Sequence, residues 1–229
     1  LAALATLSSL GWHYVPRAQA DRLRSGRRSE VFLNDILRSQ LARLNNITWR
    51  ERRHLFSEAN IETAIRRLSG IRYDGVLRTN EVVTDLLQLG IALPQTIDDT
   101  AREWPFRYID WDDWRANAFH MTAEYPVEWP GGGSIRPDLV LFVNGIPLAV
   151  IEVKSSREKT EQGITQTIRN QKADVGCPNL YFSVQLVLAA NFPQLHFLRQ
   201  HPFRSVFDVA PLLHDLFLRH PALLLHVAL

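Results

Sequence analysis

Apolar residues recur every third or fourth position through much of the first hundred residues. In EVFLNDILRSQLARLNN, residues 30–46, Leu33, Leu37, Leu41 and Leu44 fall at i, i+4, i+8 and i+11, which predicts an amphipathic helix. SEANIETAIRRLSG follows, with Ser57 placed to cap a helix and Gly70 to stop it. TNEVVTDLLQLG repeats the device, opened by Thr79 or Asn80 and closed by Gly90. The apolar run Leu1–Leu10 breaks at Gly11-Trp12-His13, too short to span a bilayer, and no basic region precedes it. It predicts a helix whose beginning lies upstream, and a start at Leu1 rather than Met fits a trimmed chain. The first 104 residues are expected to be mostly helical.

Near residue 105 the period changes to two. NAFHMTAEYPVEW alternates, with Phe119, Met121 and Ala123 on one face. PGGGS, residues 130–134, is a turn; DLVLFV is a nearly continuous apolar strand; Asn144-Gly145 is a hairpin signal; and IPLAVIEVKSS is a second strand. Residues 158–173 predict a helix, weakened by Gly163, with Ile164 and Ile168 on its apolar face and Gln162, Gln166 and Gln171 supplying polar groups. NLYFSVQLVLAAN, residues 179–191, reads as strand. Beyond Phe192, apolar clusters are split by Pro202, Pro211 and Pro221. They read either as short helices closing the domain or as a segment that packs against something absent from the chain.

Composition narrows the class. Hydrophobic residues make up 46% of the 229, enough for a sizeable core and too many for global disorder. The single cysteine, Cys177, excludes an internal disulfide and a cysteine zinc cluster, and suits a reducing cytosol. A net charge of +2 excludes a general polycation, yet Arg22, Arg24, Arg27 and Arg28 cluster in one segment, and Arg50, Arg52, Arg53 and His54 in another. Each cluster is either a solvated face or a phosphate contact, for which the planar guanidinium is well shaped. The eight histidines form no H-E-x-x-H pair, and Trp104, Trp111, Trp114 and Trp129 are better placed for packing than for base stacking.

The candidate chemistry sits in RPDLVLFVNGIPLAVIEVKSS, residues 136–156, where Asp138, Glu152 and Lys154 interrupt two strands that otherwise read as core. Positions i and i+2 of a strand share a face, so Glu152 and Lys154 project together with Val153 turned away. A strict two-residue turn pairs Val143 with Ile146, and so Asp138 with Ile151, setting Glu152 on the other face. One further residue, in the turn or as a bulge, pairs Asp138 with Glu152. Gly145 suits a longer turn, and Pro147 cannot donate to a regular ladder. Two adjacent carboxylates repel, and each is costly to desolvate; a divalent cation removes both difficulties. Oxygen donors favour Mg²⁺ or Mn²⁺, with the Val153 carbonyl as a further ligand. Such an ion lowers the pKa of a bound water and offsets charge on a phosphate. Lys154 would orient the attacking water or neutralise the transition state. Of 26 Lys and Arg, only positions 154, 159 and 172 are lysine, so an ammonium at 154 stands out. The plain alternative is a salt bridge of Asp138 or Glu152 with Lys154, without metal.

The same stretch resembles the PD-(D/E)xK nuclease signature. FVNGIPLAVIEVK resembles most closely the form found in the N-terminal nuclease domain of type I restriction endonuclease R (HsdR) subunits. LSSLGWHY, LARLNN and GITQTIRNQKADVGCPNLYFSVQLVLAAN agree more loosely, so the similarity covers residues 1–192. It implies a restriction-endonuclease-like α/β core: a mixed central β-sheet flanked by helices, helical over 1–104, with the catalytic sheet over 105–192. The tail over 193–229, read as helical from its own apolar clusters, lies outside the resemblance. It implies Asp138 and Glu152 as metal ligands and Lys154 as the catalytic lysine. Gln166 matches the glutamine of a Q-x-x-x-Y helix motif, whose tyrosine position is Asn170 here. Glu30 stands where many such nucleases carry an acidic residue on an early helix.

The implied activity is Mg²⁺- or Mn²⁺-dependent cleavage of double-stranded DNA in the cytoplasm, with no membrane partner. Recognition is left to separate specificity subunits, which with methyltransferase subunits are the implied partners in a type I restriction complex. Type I motor subunits hydrolyse ATP, but no G-x-x-x-x-G-K-[ST] loop occurs here. ATP is therefore expected at a motor region of the same polypeptide beyond this chain. A non-catalytic DNA-binding or assembly module, and a standalone resolvase or repair nuclease, are the competing readings.

Overall fold

The computed structural model describes residues 2–130, 132–154, 160–191 and 194–198. In chain order its elements are α1 (Ala2–Ser9), β1 (His13–Tyr14), α2 (Arg17–Leu23), α3 (Asn34–Leu44), β2 (Asn46–Trp49), β3 (Arg52–Leu55), α4 (Glu58–Ser69) and α5 (Val76–Leu89). Then come β4 (Ile91–Ile97), β5 (Thr100–Phe106), β6 (Phe119–Ala123), β7 (Val127–Glu128), β8 (Ser134–Ile135), β9 (Leu139–Val143) and β10 (Ile146–Lys154). Helix α6 (Thr160–Asn170), a 3₁₀ turn at Pro178–Phe182, β11 (Leu186–Asn191) and β12 (Gln194–Leu198) follow.

Among the described residues, one mixed sheet has six strands in the order β1-β6-β9-β10-β11-β12. The outer β1·β6 pair and the β10·β11 pair are parallel, and the remaining neighbours are antiparallel. Every residue of β9 is buried, which is why its sequence is a continuous apolar run without alternation. The fold is the expected α/β class, a mixed sheet with flanking helices.

The Asn144-Gly145 turn is the anchor of the sheet. Both residues have positive φ, 53° and 84°, the combination that favours Asn-Gly in a tight hairpin. The fully buried Asn144 donates through Nδ2 to the Tyr108 carbonyl (3.0 Å) and to Asn117 Oδ1 (2.8 Å), and its Oδ1 accepts from the Ala118 N–H (2.8 Å). Gly145 lies against the start of α3: a Cβ there would stand 2.7 Å from the Leu33 carbonyl oxygen. Leu33, Leu37 and Leu41 are fully buried beneath it, so the leucine stripe read from the sequence is the face α3 turns to the core.

Helix α4 follows its sequence signals. The Ser57 hydroxyl accepts from the Asn60 N–H (3.2 Å), and Gly70 ends the helix. Ser57→Ala is expected to lower stability by about 1 kcal/mol, read as an unchanged slope and a lower midpoint in urea unfolding.

The N-terminal half departs from a mostly helical one. Residues 46–55 form the β2–β3 hairpin and residues 91–106 the β4–β5 hairpin. Their two-residue turns, Arg50-Glu51 and Asp98-Asp99, also take positive φ at both positions, but neither carries the glycine that marks such a turn in sequence. Helix α5 begins at Val76 behind Gly75, not at Thr79 or Asn80. Those two are buried and bond inward: the Thr79 hydroxyl accepts from the Asp74 N–H, and Asn80 Nδ2 donates to the carbonyls of Tyr181, Phe182 and Val184. The start of the tail differs too. Residues 194–198, read as part of a helical tail, pair as β12 along β11, whose open edge they satisfy; the remainder of the tail lies outside the described residues.

Cys177 is buried, its thiol donating towards the Val127 and Gly133 carbonyls (3.2 and 3.1 Å). Burial pushes its pKa up to about 11. At pH 8 the native protein should hold roughly a thousandth of this thiol as thiolate, against about a quarter for an ordinary thiol. Ellman's reagent should label it over 100-fold faster after denaturation. The folded state holds this proton more tightly than the unfolded state, so the contribution falls as pH rises from about 9 through 11. Thermal midpoints are expected to drop over that window.

Candidate active site

Asp138 stands immediately before β9, half-buried, with its carbonyl accepting the Glu124 N–H at 2.9 Å. The strand pairing answers the question of register. Val143 pairs with Ile146 across a strict two-residue turn, but the ladder shifts between Pro147 and Ala149, leaving Leu148 as a bulge. Beyond it Leu141 pairs with Ala149, Val140 with Val150 and Leu139 with Ile151. One step further, the same register sets Asp138 opposite Glu152. Directly opposed residues share a face with Cβ atoms about 4.5–5.5 Å apart. The extra residue that the site requires is therefore present, in the strand and not in the turn.

Both carboxylates are held. Asp138 Oδ2 accepts the Val153 N–H at 2.7 Å, and Glu152 Oε2 accepts from Gln166 Nε2 at 2.9 Å. Glu152 is fully buried. Because the N–H and C=O of one strand residue leave on the same side, the Val153 carbonyl is also directed to the Asp138 edge of β10. The structure thus gathers Asp138, Glu152, Gln166 and the Val153 main chain. Lys154 ends β10 in register with Asn191; its side chain lies outside the described residues.

Helix α6 reaches the sheet with a face the sequence did not suggest. Ile168, read as apolar-face packing, is 54% exposed, whereas Thr167 and Asn170 are buried. The inward side is polar because it covers a carboxylate; an aliphatic face would desolvate Glu152 without bonding to it. Tyr181, from the 3₁₀ turn, is fully buried here. Burial and the neighbouring Glu152 charge push its phenol pKa up, with Asn170 pulling the other way. In sequence Tyr181 looks like one more core aromatic in NLYFSVQ; only the fold brings it beside Glu152.

The donor set suits a hard cation: two carboxylates on one face and a main-chain oxygen on the same edge. Among the described residues, no group of three or more His, Cys, Asp or Glu gathers as a metal cluster. Glu30 accordingly forms no such group with this pair; it lines a cavity of about 290 Å³ with Trp129, Asn179 and Phe182.

The site is thus framed by a mixed sheet whose central hairpin presents opposed carboxylates under a polar helix, and comparison with known proteins says which kind of chain carries it. The family described as "Type I restriction enzyme R protein N terminus" matches residues 1–201, and the chain belongs to that family. It is 25% identical over 157 residues to the type I restriction enzyme HindI endonuclease subunit of Haemophilus influenzae, covering 66% of this chain and 14% of that protein. A putative type I restriction enzyme MjaVIIIP endonuclease subunit of Methanocaldococcus jannaschii is 26% identical over 198 residues, 83% of this chain and 17% of its own length. The MjaIXP subunit of the same organism is 32% identical over 88 residues, 37% of this chain and 8% of its own. The chain therefore spans a small fraction of these relatives. No helix among the described residues is long and apolar enough to cross a membrane.

Proposed function

We propose that this chain is the nuclease domain of a type I restriction R protein, cutting the backbone of double-stranded DNA with the help of Mg²⁺ or Mn²⁺. The observation that carries the reading is the Leu148 bulge, which brings Asp138 opposite Glu152. Asp138, Glu152 and the Val153 carbonyl would hold the ion. When bound, the ion would lower the pKa of a coordinated water and offset charge on the scissile phosphate. Gln166 orients Glu152 through its 2.9 Å bond, and Asp138 is fixed by the Val153 N–H, so both ligands are pre-positioned. Lys154 would stabilise the additional negative charge of the transition state.

The relatives are named as endonuclease subunits, which supports a cutting role. In this reading, specificity and methyltransferase subunits select the DNA in the cytoplasm. An ATP-driven motor region elsewhere in the polypeptide delivers it; no ATP site is assigned to this chain. Supercoiled plasmid incubated with the chain and Mn²⁺ should be nicked, and a chelator should stop it. Nicking that survives chelation would remove the metal from the reading. Gln166→Leu, which leaves both carboxylates in place, should weaken Mn²⁺ binding by about 10–100-fold, as loss of a ligand-orienting bond does elsewhere; calorimetric titration measures it.

A further inference from the structure

Of the two arginine clusters in the sequence, the first is tied into the fold by two of its members, with Arg22 and Arg27 exposed, and the second has all its arginines exposed. In the first, Arg24 is fully buried: it pairs with Asp21, donates to the Glu30 carbonyl and lies 4.3 Å over the Tyr125 ring. Arg28 pairs with Glu128. The second cluster stands on the β2–β3 hairpin, where Arg50, Arg52 and Arg53 are all exposed. Arg52 is the cross-strand partner of Trp49. The Arg50 guanidinium lies 5.7 Å from the Trp49 ring centre, and Arg102, from the other hairpin, lies 5.2 Å from it and 5.5 Å from Trp104. Two exposed cations, Arg50 and Arg102, therefore lie at one indole, with the exposed Arg52 directly across the strand pair from it. Among the described residues none of the three forms an ion pair, a state they share with other surface arginines such as Arg22 and Arg27; what sets them apart is the shared indole.

The platform beneath them is rigid. Trp49 and Trp104 meet edge to face at 5.6 Å. Gln95 links the hairpins: its Nε2 donates to the Leu55 carbonyl (2.8 Å), its Oε1 accepts the Ser57 N–H (2.8 Å), and its carbonyl accepts from Trp104 Nε1 (3.3 Å). An arginine stacked on a ring keeps its N–H edge free for an oxyanion, in the planar fork that fits phosphate. Among the described residues the neighbouring Glu51 and Glu103 form no ion pair with these arginines, and like charges brought together repel unless an anion joins them.

We infer that Arg50, Arg52 and Arg102 form a phosphate-gripping surface that holds the backbone of double-stranded DNA away from the cutting centre. This rests on the reading that the chain acts on such DNA. Phosphate contacts of this kind fix position without reading sequence.

The test measures binding of a linear duplex in chelator, where nothing is cut, across a salt series. Changing Arg50, Arg52 and Arg102 together to Gln is expected to weaken binding about 10–100-fold near 0.1 M salt. It should also flatten the log–log salt slope by about 2–3, the counterions of three phosphates. A charge-matched control takes the same three charges from the ion-paired Arg28, Arg38 and Arg78 and should shift affinity less than about threefold, a loss of bulk field and not of contacts. Arg52→Gln and Arg102→Gln singly serve if the triple variant fails to fold, each removing about one unit of slope. An unchanged slope, an equal loss in the control, or no duplex binding by the parent chain would each overturn the inference. The cutting reading is judged separately, by nicking with Asp138 altered.

Discussion

Asp138→Asn should leave the protein folded and all but abolish cutting. The amide oxygen can still accept the Val153 N–H now bound at 2.7 Å, so the strand end keeps its bond and the thermal midpoint should stay within a few degrees. What goes is the charge that would hold the cation. Nicking in Mg²⁺ or Mn²⁺ is expected to fall by about 10³-fold or more, because metal catalysis supplies several kcal/mol of charge stabilisation and each tenfold is about 1.4 kcal/mol. Mn²⁺ affinity should collapse with it. Asp138→Ala gives the same loss of cutting with a further cost near 1 kcal/mol, since the Val153 N–H then lacks its acceptor. An Asp138→Asn protein that nicks plasmid as fast as its parent would end the metal assignment.

The second large effect is on stability. Asn144→Ala removes two donors and an acceptor at a fully buried position and leaves the Tyr108 carbonyl and the Ala118 N–H without their partner, while Asn117 Oδ1 keeps only the Asp110 N–H. Unsatisfied buried groups cost about 1–3 kcal/mol each, with partial relaxation, and alanine is strained at the positive φ of this turn. A loss of about 3–5 kcal/mol is expected, or roughly 10 °C in thermal midpoint for a chain of this size. Gly145→Ala should act in the same direction, because its Cβ would press on the Leu33 carbonyl at 2.7 Å. A midpoint that moves by less than 2 °C in both variants would show that the turn does not anchor the sheet.

Those features legible in the sequence were set by local chemistry. Asn144-Gly145 announces a hairpin because few other pairs tolerate two positive φ angles in succession. The spacing of Leu33, Leu37 and Leu41 is a helical face, and all three are fully buried. Ser57 and Gly70 bound α4 where expected. What stayed hidden depended on distant partners. Arg50-Glu51 and Asp98-Asp99 make tight turns without glycine, so both N-terminal hairpins passed for helix or loop. Helix α6 turns Thr167 and Asn170 inward and Ile168 outward, the reverse of a rule that assumes an apolar core. Pattern alone could place Asp138 and Glu152 on neighbouring strands, but whether they faced each other hung on one unpaired residue.

That unpaired residue makes the two arms of the central ribbon unequal. Five steps lead from Val143 back to Asp138, and six from Ile146 on to Glu152, with Leu148 absorbing the difference. Length changes in this ribbon are then not equivalent. A chain that lost one residue beside Leu148 would straighten its longer arm and keep the two acids across from one another. A chain that lost one from 139–143 would move its first acid out of step and onto the wrong surface. Lineages carrying this ribbon should therefore vary in length on one arm only.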